Sequence, residues 1–308
     1  MVLTTVRDSD PEGASRSLPG ITRRLLPLTQ NSEFHQAELQ IGCVRLVVVK
    51  RPPCISEAYL ERSQIGIAIL MGKSPGLKID CLSLDRPAMV SHGLSIPHRI
   101  FQPSKLTIGA VLLPQAYGED RWPERDKGAR VDPVRPKSVQ QLRSVIRETM
   151  SLASSNPASL SQENVRLGVQ QAVLGSIDDA FLTPQRSAGL ATKNHVRTCR
   201  IADEFLLANP KRLGIISEDI AAATGVTIRI LHSAMVAVYG MSLSKYLLLQ
   251  RLWSVRAALR HAGPGDLVKT IALDHGFWHF GRFANTYRDF FGETPSDTLV
   301  QKMNCAPA

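Results

Sequence analysis

Between Ala37 and about Pro114 the hydrophobic positions fall in short β-branched runs broken by Gly and Pro: Val44-Arg45-Leu46-Val47-Val48-Val49, Ile65-Gly66-Ile67-Ala68-Ile69-Leu70 and Leu106-Thr107-Ile108-Gly109-Ala110-Val111. Runs of that length bounded by turn residues predict strands, and their regular spacing predicts a compact sandwich or barrel. Past a Pro- and charge-rich connection from Trp122 to Pro136 the spacing becomes helical. Val139, Leu142, Val145, Ile146 and Met150 share one stripe between Ser138 and about Ala153, and Ser161 opens a second helical segment running to about Phe181. Residues 1–33, with Pro11, Gly13, Pro19 and Gly20 among serines and arginines, read as a flexible arm. Residues 183–194, small and polar with Pro184 and Gly189, read as a linker. The expected class is therefore α+β: an N-terminal β-rich, barrel-like domain with a helix pair over 34–182, and a C-terminal all-α domain over 195–308.

That last domain carries two similar helix-turn-helix patterns. Ser217 caps a short helix with Glu218 and Asp219 in its first turn, where carboxylates suit the positive end of the helix dipole. Thr224-Gly225 ends it, Gly225 standing where a tight interhelical turn needs a positive φ, and Thr227 caps the next helix. Leu231, Met235 and Val238 then share a face, while Arg229, His232 and Ser233 point away from it and suit a helix lying in a major groove. Gly240 stops this helix and Ser242 caps a long one running to about His261, which Gly263-Pro264-Gly265 ends. At 1.5 Å per residue a helix of that length spans roughly 28 Å, close to the ~34 Å between successive major-groove faces on one side of B-DNA, so it can serve as a spacer. The second unit runs from about Asp266 to His275, turns at Gly276-Phe277 and continues to Phe291-Gly292. Phe283, Tyr287 and Phe290 form its expected buried stripe, Arg282, Asn285 and Asp289 another face, and Pro295 secures its end. Arg282 offers a fork to guanine and Asn285 an amide to adenine, with Arg288 placed for phosphate.

Charge agrees with a polyanionic partner without locating it. The formal net charge is +10, of which +6 falls in residues 1–194 and +4 in 195–308, so bulk charge singles out neither half. Cys43, Cys54, Cys81, Cys199 and Cys305 form no Cys-x-x-Cys pair, and their odd number and wide spacing argue for a reducing, cytoplasmic setting without disulfides. No apolar run reaches membrane-spanning length and no signal-peptide core is present, so no membrane association is expected.

The run Gly276-Phe277-Trp278-His279-Phe280-Gly281-Arg282-Phe283-Ala284, followed by Tyr287-Arg288-Asp289-Phe290-Phe291-Gly292-Glu293-Thr294-Pro295-Ser296, closely resembles the C-terminal signature of AraC/XylS-type transcriptional regulators. It is similar in particular to a Gly-Phe-Trp-His branch that contains ethanolamine-operon activators. Upstream, Val226-Thr227-x-Arg229-x-Leu231, Gly240-x-Ser242-x-x-x-Tyr246 and Arg251-Leu252 resemble that family's first unit and linker helix at the expected spacing, giving a likeness over about 195–302. The resemblance implies a sequence-specific regulator, active as a homodimer on double-stranded promoter DNA with RNA polymerase as a further partner, present in a bacterial cytoplasm at nucleoid target promoters. It further implies an effector-binding and dimerising N-terminal domain and DNA contacts by Arg229, His232, Ser233, His279, Arg282, Asn285 and Arg288. Three positions depart from the pattern: Ser233 and Asn285 replace common arginines and Met235 a core phenylalanine. With Ile228 and Val236 also outward, the first unit is expected to read bases weakly, through phosphate or thymine-methyl contacts.

Other candidates favour plain roles. His92 and His98 lack the His-x-His and following Glu of a cupin metal site, so neither a metal nor a cofactor is expected. Arg23-Arg24 and Arg197-x-x-Arg200 suit a phosphate, but solvated or helix-pairing arginines are the commoner case. Trp122, Trp253 and Trp278 are read as packing residues, with Trp278 alternatively lying against the DNA backbone. Without a paired acid and base, an activated nucleophile or metal spacing, no enzyme is expected. The competing reading is a protein-docking module whose first helix-turn-helix unit is degenerate and binds DNA weakly.

Overall fold

In the computed structural model the long apolar runs are strands covered on both faces. The structure describes residues 3–8, 13, 21–30, 33–60, 64–84, 87–92, 98–117, 129–181, 191–209, 217–263 and 265–305, and the chain divides into an N-terminal unit of Met1–Pro27 and Ser32–Leu190 and a C-terminal unit of Ala191–Ala308 that also takes in Leu28–Asn31. The N-terminal strands are β1 (Leu3–Asp8), β2 (Ile21–Pro27), β3 (Phe34–Ile41), β4 (Val44–Arg51), β5 (Cys54–Leu60), β6 (Gln64–Leu70), β7 (Lys78–Ile79), β8 (Leu82–Ser83), β9 (Ala88–His92), β10 (His98–Gln102), β11 (Leu106–Pro114) and β12 (Ala129–Pro133). They form two antiparallel sheets, a seven-stranded one in the order β1-β3-β4-β11-β6-β9-β12 and a five-stranded one in the order β2-β5-β10-β7-β8. Of the sandwich and the barrel that the spacing allows, the two sheets make the first, and the barrel is not closed.

Alternation along the central strands shows why. Ile65, Ile67 and Ile69 of β6, Val44 and Leu46 of β4, and Val111 and Leu113 of β11 point to one side. There they pack against Val139, Leu142 and Ile146 of α1 (Pro136–Ser155) and Val173 and Ile177 of α2 (Glu163–Phe181). Ala68 of β6, Val90 of β9 and Ile108 of β11 point to the other side, against Ile79 of β7 and Ile100 of β10. Strands with two buried faces read as nearly continuous apolar runs, which is the pattern that Ile65 to Leu70 displays. The register is set at β11, where Val111 opposes Leu46 on one side and Ile67 on the other.

Two strands lie in the stretch whose composition reads as a flexible arm. β1 pairs with β3 from Leu3↔Leu39 to Asp8↔Phe34, and β2 pairs with β5 from Ile21↔Leu60 to Pro27↔Cys54. Each adds an edge strand to a sheet built elsewhere in the chain, so its hydrogen bonds and its buried Leu25 and Leu26 come from long-range pairing that local composition does not report. The predicted linker mostly lies outside the described residues, and its last four positions already belong to α3 (Ala191–Ala208).

The C-terminal unit consists, among the described residues, of α3 followed by α4 (Ser217–Thr224), α5 (Ile228–Tyr239), α6 (Leu243–His261), α7 (Val268–Asp274), α8 (Phe280–Phe291) and α9 (Pro295–Cys305). No single helix among the described residues is long and apolar enough to cross a membrane.

The β7–β8 turn carries a titratable group whose environment is visible in the backbone. Asp80, at φ +45, accepts a hydrogen bond from the Arg99 amide at 2.8 Å on Oδ1, and burial raises its carboxyl pKa to about 6 despite that bond and the nearby Arg99 charge. The folded chain therefore holds this proton more tightly than the unfolded chain. The contribution of Asp80 to stability is expected to be fully present below about pH 4 and to be lost, by about 3 kcal/mol, as pH rises through 6. Urea titrations across that range check this, and Asp80→Asn, which keeps the acceptor, is expected to remove the slope.

Candidate nucleic-acid interface

The first helix-turn-helix unit is held in shape by its turn and by one buried carboxylate. α4 and α5 meet at 90°, with Gly225 at φ +67 between them, as the turn chemistry requires. Thr227 caps α5 by accepting from the Ile230 amide at 3.3 Å, and Ser242 caps α6 by accepting from the Lys245 amide at 3.3 Å. Gly240, at φ +63, closes α5. Leu231, Ala234, Met235 and Val238 are buried, and Arg229, His232 and Ser233 are exposed as predicted. The exposed face is also apolar, with Ile228, Ile230 and Val236 each 40–49% exposed. At the far end of α5 the phenols of Tyr239 and Tyr246 both donate to Asp203 of α3, Tyr246 at 2.8 Å to Oδ1, and their rings stack with centroids 4.8 Å apart. One buried carboxylate thus ties the helix before the unit, the end of α5 and the start of α6 together.

The second unit repeats the plan with an aromatic core. Gly276, at φ +81, makes the turn between α7 and α8. Phe283, Tyr287 and Phe291 are buried, so the stripe ends at Phe291 rather than at the expected Phe290. The i, i+4, i+8 spacing keeps those three on one line, while Phe290 is half-buried against the edge of Trp253. Pro295 follows α8 by four residues, as expected, and also opens α9, at the first-turn position where proline fits. α9 returns Thr298 to the core, where its hydroxyl lies 2.9 Å from the Tyr287 phenol and donates to Glu293 at 2.7 Å. Glu293 pairs with Arg256 of α6 at 2.9 Å, and the Arg256 guanidinium sits 4.4 Å from the Phe291 ring centre. Of these four polar residues, Arg256 and Thr298 lie outside the helix-turn-helix pattern. The one signal in the chain is a charged or hydroxyl side chain falling on an otherwise apolar helical face.

On the outward face of α8, Arg282, Asn285, Arg288 and Asp289 are exposed, and His279 stands exposed at the N-cap without a capping hydrogen bond. Arg288 donates to the Asn285 carbonyl oxygen at 3.2 Å, a coupling that spacing alone did not indicate. Trp278, just before the helix, is 63% exposed and is therefore not a core residue, whereas Trp253 packs edge-on to Phe291 with ring centres 5.0 Å apart. Trp122 lies outside the described residues. Arg200 pairs with Glu204 one turn on at 3.6 Å, the ordinary role for a helix-surface arginine.

The generic helix-turn-helix domain family model matches residues 220–301, which span both units and α6. Over 106 residues the chain is 39% identical to the XylDLEGF operon transcriptional activator 2 of Pseudomonas putida, covering 33% of this chain and 66% of that protein. The chain belongs to the AraC/XylS-type regulators. A second member, XylDLEGF operon transcriptional activator 3 of the same organism, is 29% identical over 199 residues, 63% of this chain and 57% of its own length. The chain thus spans just under two thirds of the first of these relatives and a little over half of the second. Among solved structures, the "probable AraC family transcriptional regulator" of Rhodopseudomonas palustris CGA009 is 33% identical, covers 34% of this chain and 96% of its own, and has a TM-score of 0.31.

The departures of this AraC/XylS-type chain from the family pattern now have surroundings. Met235 is fully buried and its sulfur lies 3.7 Å from the Cys199 thiol, so methionine fills a core position with a soft contact in place of a ring. Ser233 is exposed and shortens the reach of α5. Asp203→Ala is expected to lower the stability of the C-terminal unit by about 2–4 kcal/mol, because two buried phenols lose their acceptor. Chemical denaturation of the full chain checks this, with Asp203→Asn, which keeps one acceptor oxygen, expected to fall between the two.

Proposed function

We propose that the chain is a transcriptional regulator that binds promoter DNA by inserting α5 and α8 into successive major grooves. The observation that carries this reading is the continuous helix Leu243–His261 joining two helix-turn-helix units, each with polar side chains outward on its second helix. A 19-residue helix is about 28 Å long, comparable with one turn of B-DNA. Arg282 reads guanine and Asn285 adenine. Arg288 contacts phosphate and, through its bond to one lone pair of the Asn285 oxygen, orients that amide while leaving the second lone pair and both amide hydrogens for a base. His279 stands at the phosphate-facing end of α8, and Arg229, His232 and Ser233 give α5 mainly backbone contact, with Ile228 and Val236 available to thymine methyl groups. The relatives' names support transcriptional activation, and the further partner in this reading is RNA polymerase. The N-terminal unit binds a small-molecule effector and provides the homodimer contact.

A second reading rests on the same apolar α5 surface, which suits a protein partner and would leave DNA binding to α8. The two separate on salt. Phosphate-dependent binding falls steeply as salt rises, and two engaged units give a steeper slope than one.

In a binding-site selection, Arg282→Ala is expected to lose preference at one base pair, worth about 1–3 kcal/mol of discrimination. Arg288→Ala is expected to weaken all sequences and to reduce the salt slope by about one ion, with a smaller loss of adenine preference through Asn285. An unchanged motif with Arg282→Ala refutes the base-reading role.

A further inference from the structure

Between the two sheets of the N-terminal unit lies a cavity of about 70 Å³. It exists because small residues meet there: Ala110 of β11 opposes Ala68 of β6, and Ala58 of β5 lines the same space. Its wall is otherwise aliphatic, including Val47, Val49, Ile100 and Leu112, and the described residues lining it offer two polar side chains, Arg51 and His98.

Arg51 is the unusual member. It ends β4 on the face that carries Val47 and Val49 and is only 7% exposed. Its Nη1 donates to the Ser56 hydroxyl at 3.1 Å, its Nε has no partner, and no carboxylate among the described residues pairs with it. A buried guanidinium without a counter-charge is destabilising, and burial draws its pKa downward. An anion entering the cavity would supply the missing charge. The wall also limits what else that ligand carries. Aliphatic side chains leave sugar hydroxyls unsatisfied, and one arginine does not balance a phosphate dianion. A volume of 70 Å³ admits on the order of five to seven water-sized groups.

We infer that this cavity binds a saturated monocarboxylate of about four to six carbons, its carboxylate on Arg51 and its hydrocarbon tail among the valines and isoleucines of the two sheets. The inference rests on the effector reading above and names the chemical class of that ligand.

The test uses the full chain with pentanoate and its neutral isostere pentanamide, followed by calorimetric titration and thermal unfolding. Pentanoate at a hundred times its Kd is expected to raise the Tm of the N-terminal unit by about 5–10 °C, and pentanamide is expected to have little effect. Arg51→Met is expected to weaken pentanoate binding on the order of 10–100-fold while leaving the ligand-free Tm unchanged or higher. Ala110→Leu, which fills the space without touching the guanidinium, is expected to abolish binding. Equal binding of pentanamide overturns the carboxylate and leaves an effector cavity standing. Pentanoate binding that survives both substitutions overturns the site, and no effect of either ligand overturns the ligand class. Arg51-dependent binding that leaves DNA affinity unchanged sinks the effector reading while the site itself stands.

Discussion

A helix joining two DNA-facing units can set their spacing only if it is clamped at both ends. α6 has such clamps. At its start Tyr246 shares Asp203 with Tyr239, so the first turn of α6, the last turn of α5 and the middle of α3 converge on one carboxylate. Toward its end Arg256 holds Glu293 and covers Phe291, while Trp253 meets the edges of Phe290 and Phe291. The first clamp is buried and the second partly buried, both against apolar packing, where a satisfied bond is directional and an unsatisfied one is costly. That directionality fixes the rotation of α5 and α8 about their own axes, and with it which side chains face outward.

Much of this was legible because it is local. Gly225, Thr227, Gly240, Ser242 and Gly276 act through the backbone of their own or adjacent residues, so the turns and caps follow from residue type and position. The outward face of α8 follows in the same way from helical spacing. What spacing could not supply depends on distant partners. Phe290 and Phe291 are adjacent on the helix, and the position of Trp253 on α6 decides which of them is half-exposed. Pro295 is compatible with an end or a beginning, and the bond between Thr298 and Tyr287 fits the beginning of a packed helix. β1 and β2 depend wholly on edges made by β3 and β5.

The second helices of the two units, α5 and α8, differ in chemistry more than in shape. α5 carries one arginine and an exposed Ile228, Ile230 and Val236, whereas α8 carries Arg282 and Arg288 beside Asn285. The even division of charge along the chain hides this, since +4 over 114 residues says nothing of which face holds the cations. The Arg288–Asn285 bond adds an economy of its own under the proposed function: the side chain assigned to phosphate also limits the rotamers of the one assigned to a base.

The N-terminal unit poses the complementary question of why a folded core retains Arg51. A buried cation that no carboxylate among the described residues pairs costs several kcal/mol, far more than the Ser56 hydroxyl returns, and an aliphatic residue at the end of β4 would remove the cost. A chain that keeps it is less stable empty than it could be, and a bound anion stabilises it by more than the contact alone because it also relieves that deficit. Val47, Val49 and Arg51 share strand β4 with Val44 and Leu46, whose side chains leave the opposite face to pack on α1 and α2. A ligand that shifts β4 or β11 by a fraction of an ångström therefore presses on the helix pair through a core packed on both faces, which transmits displacement in place of absorbing it.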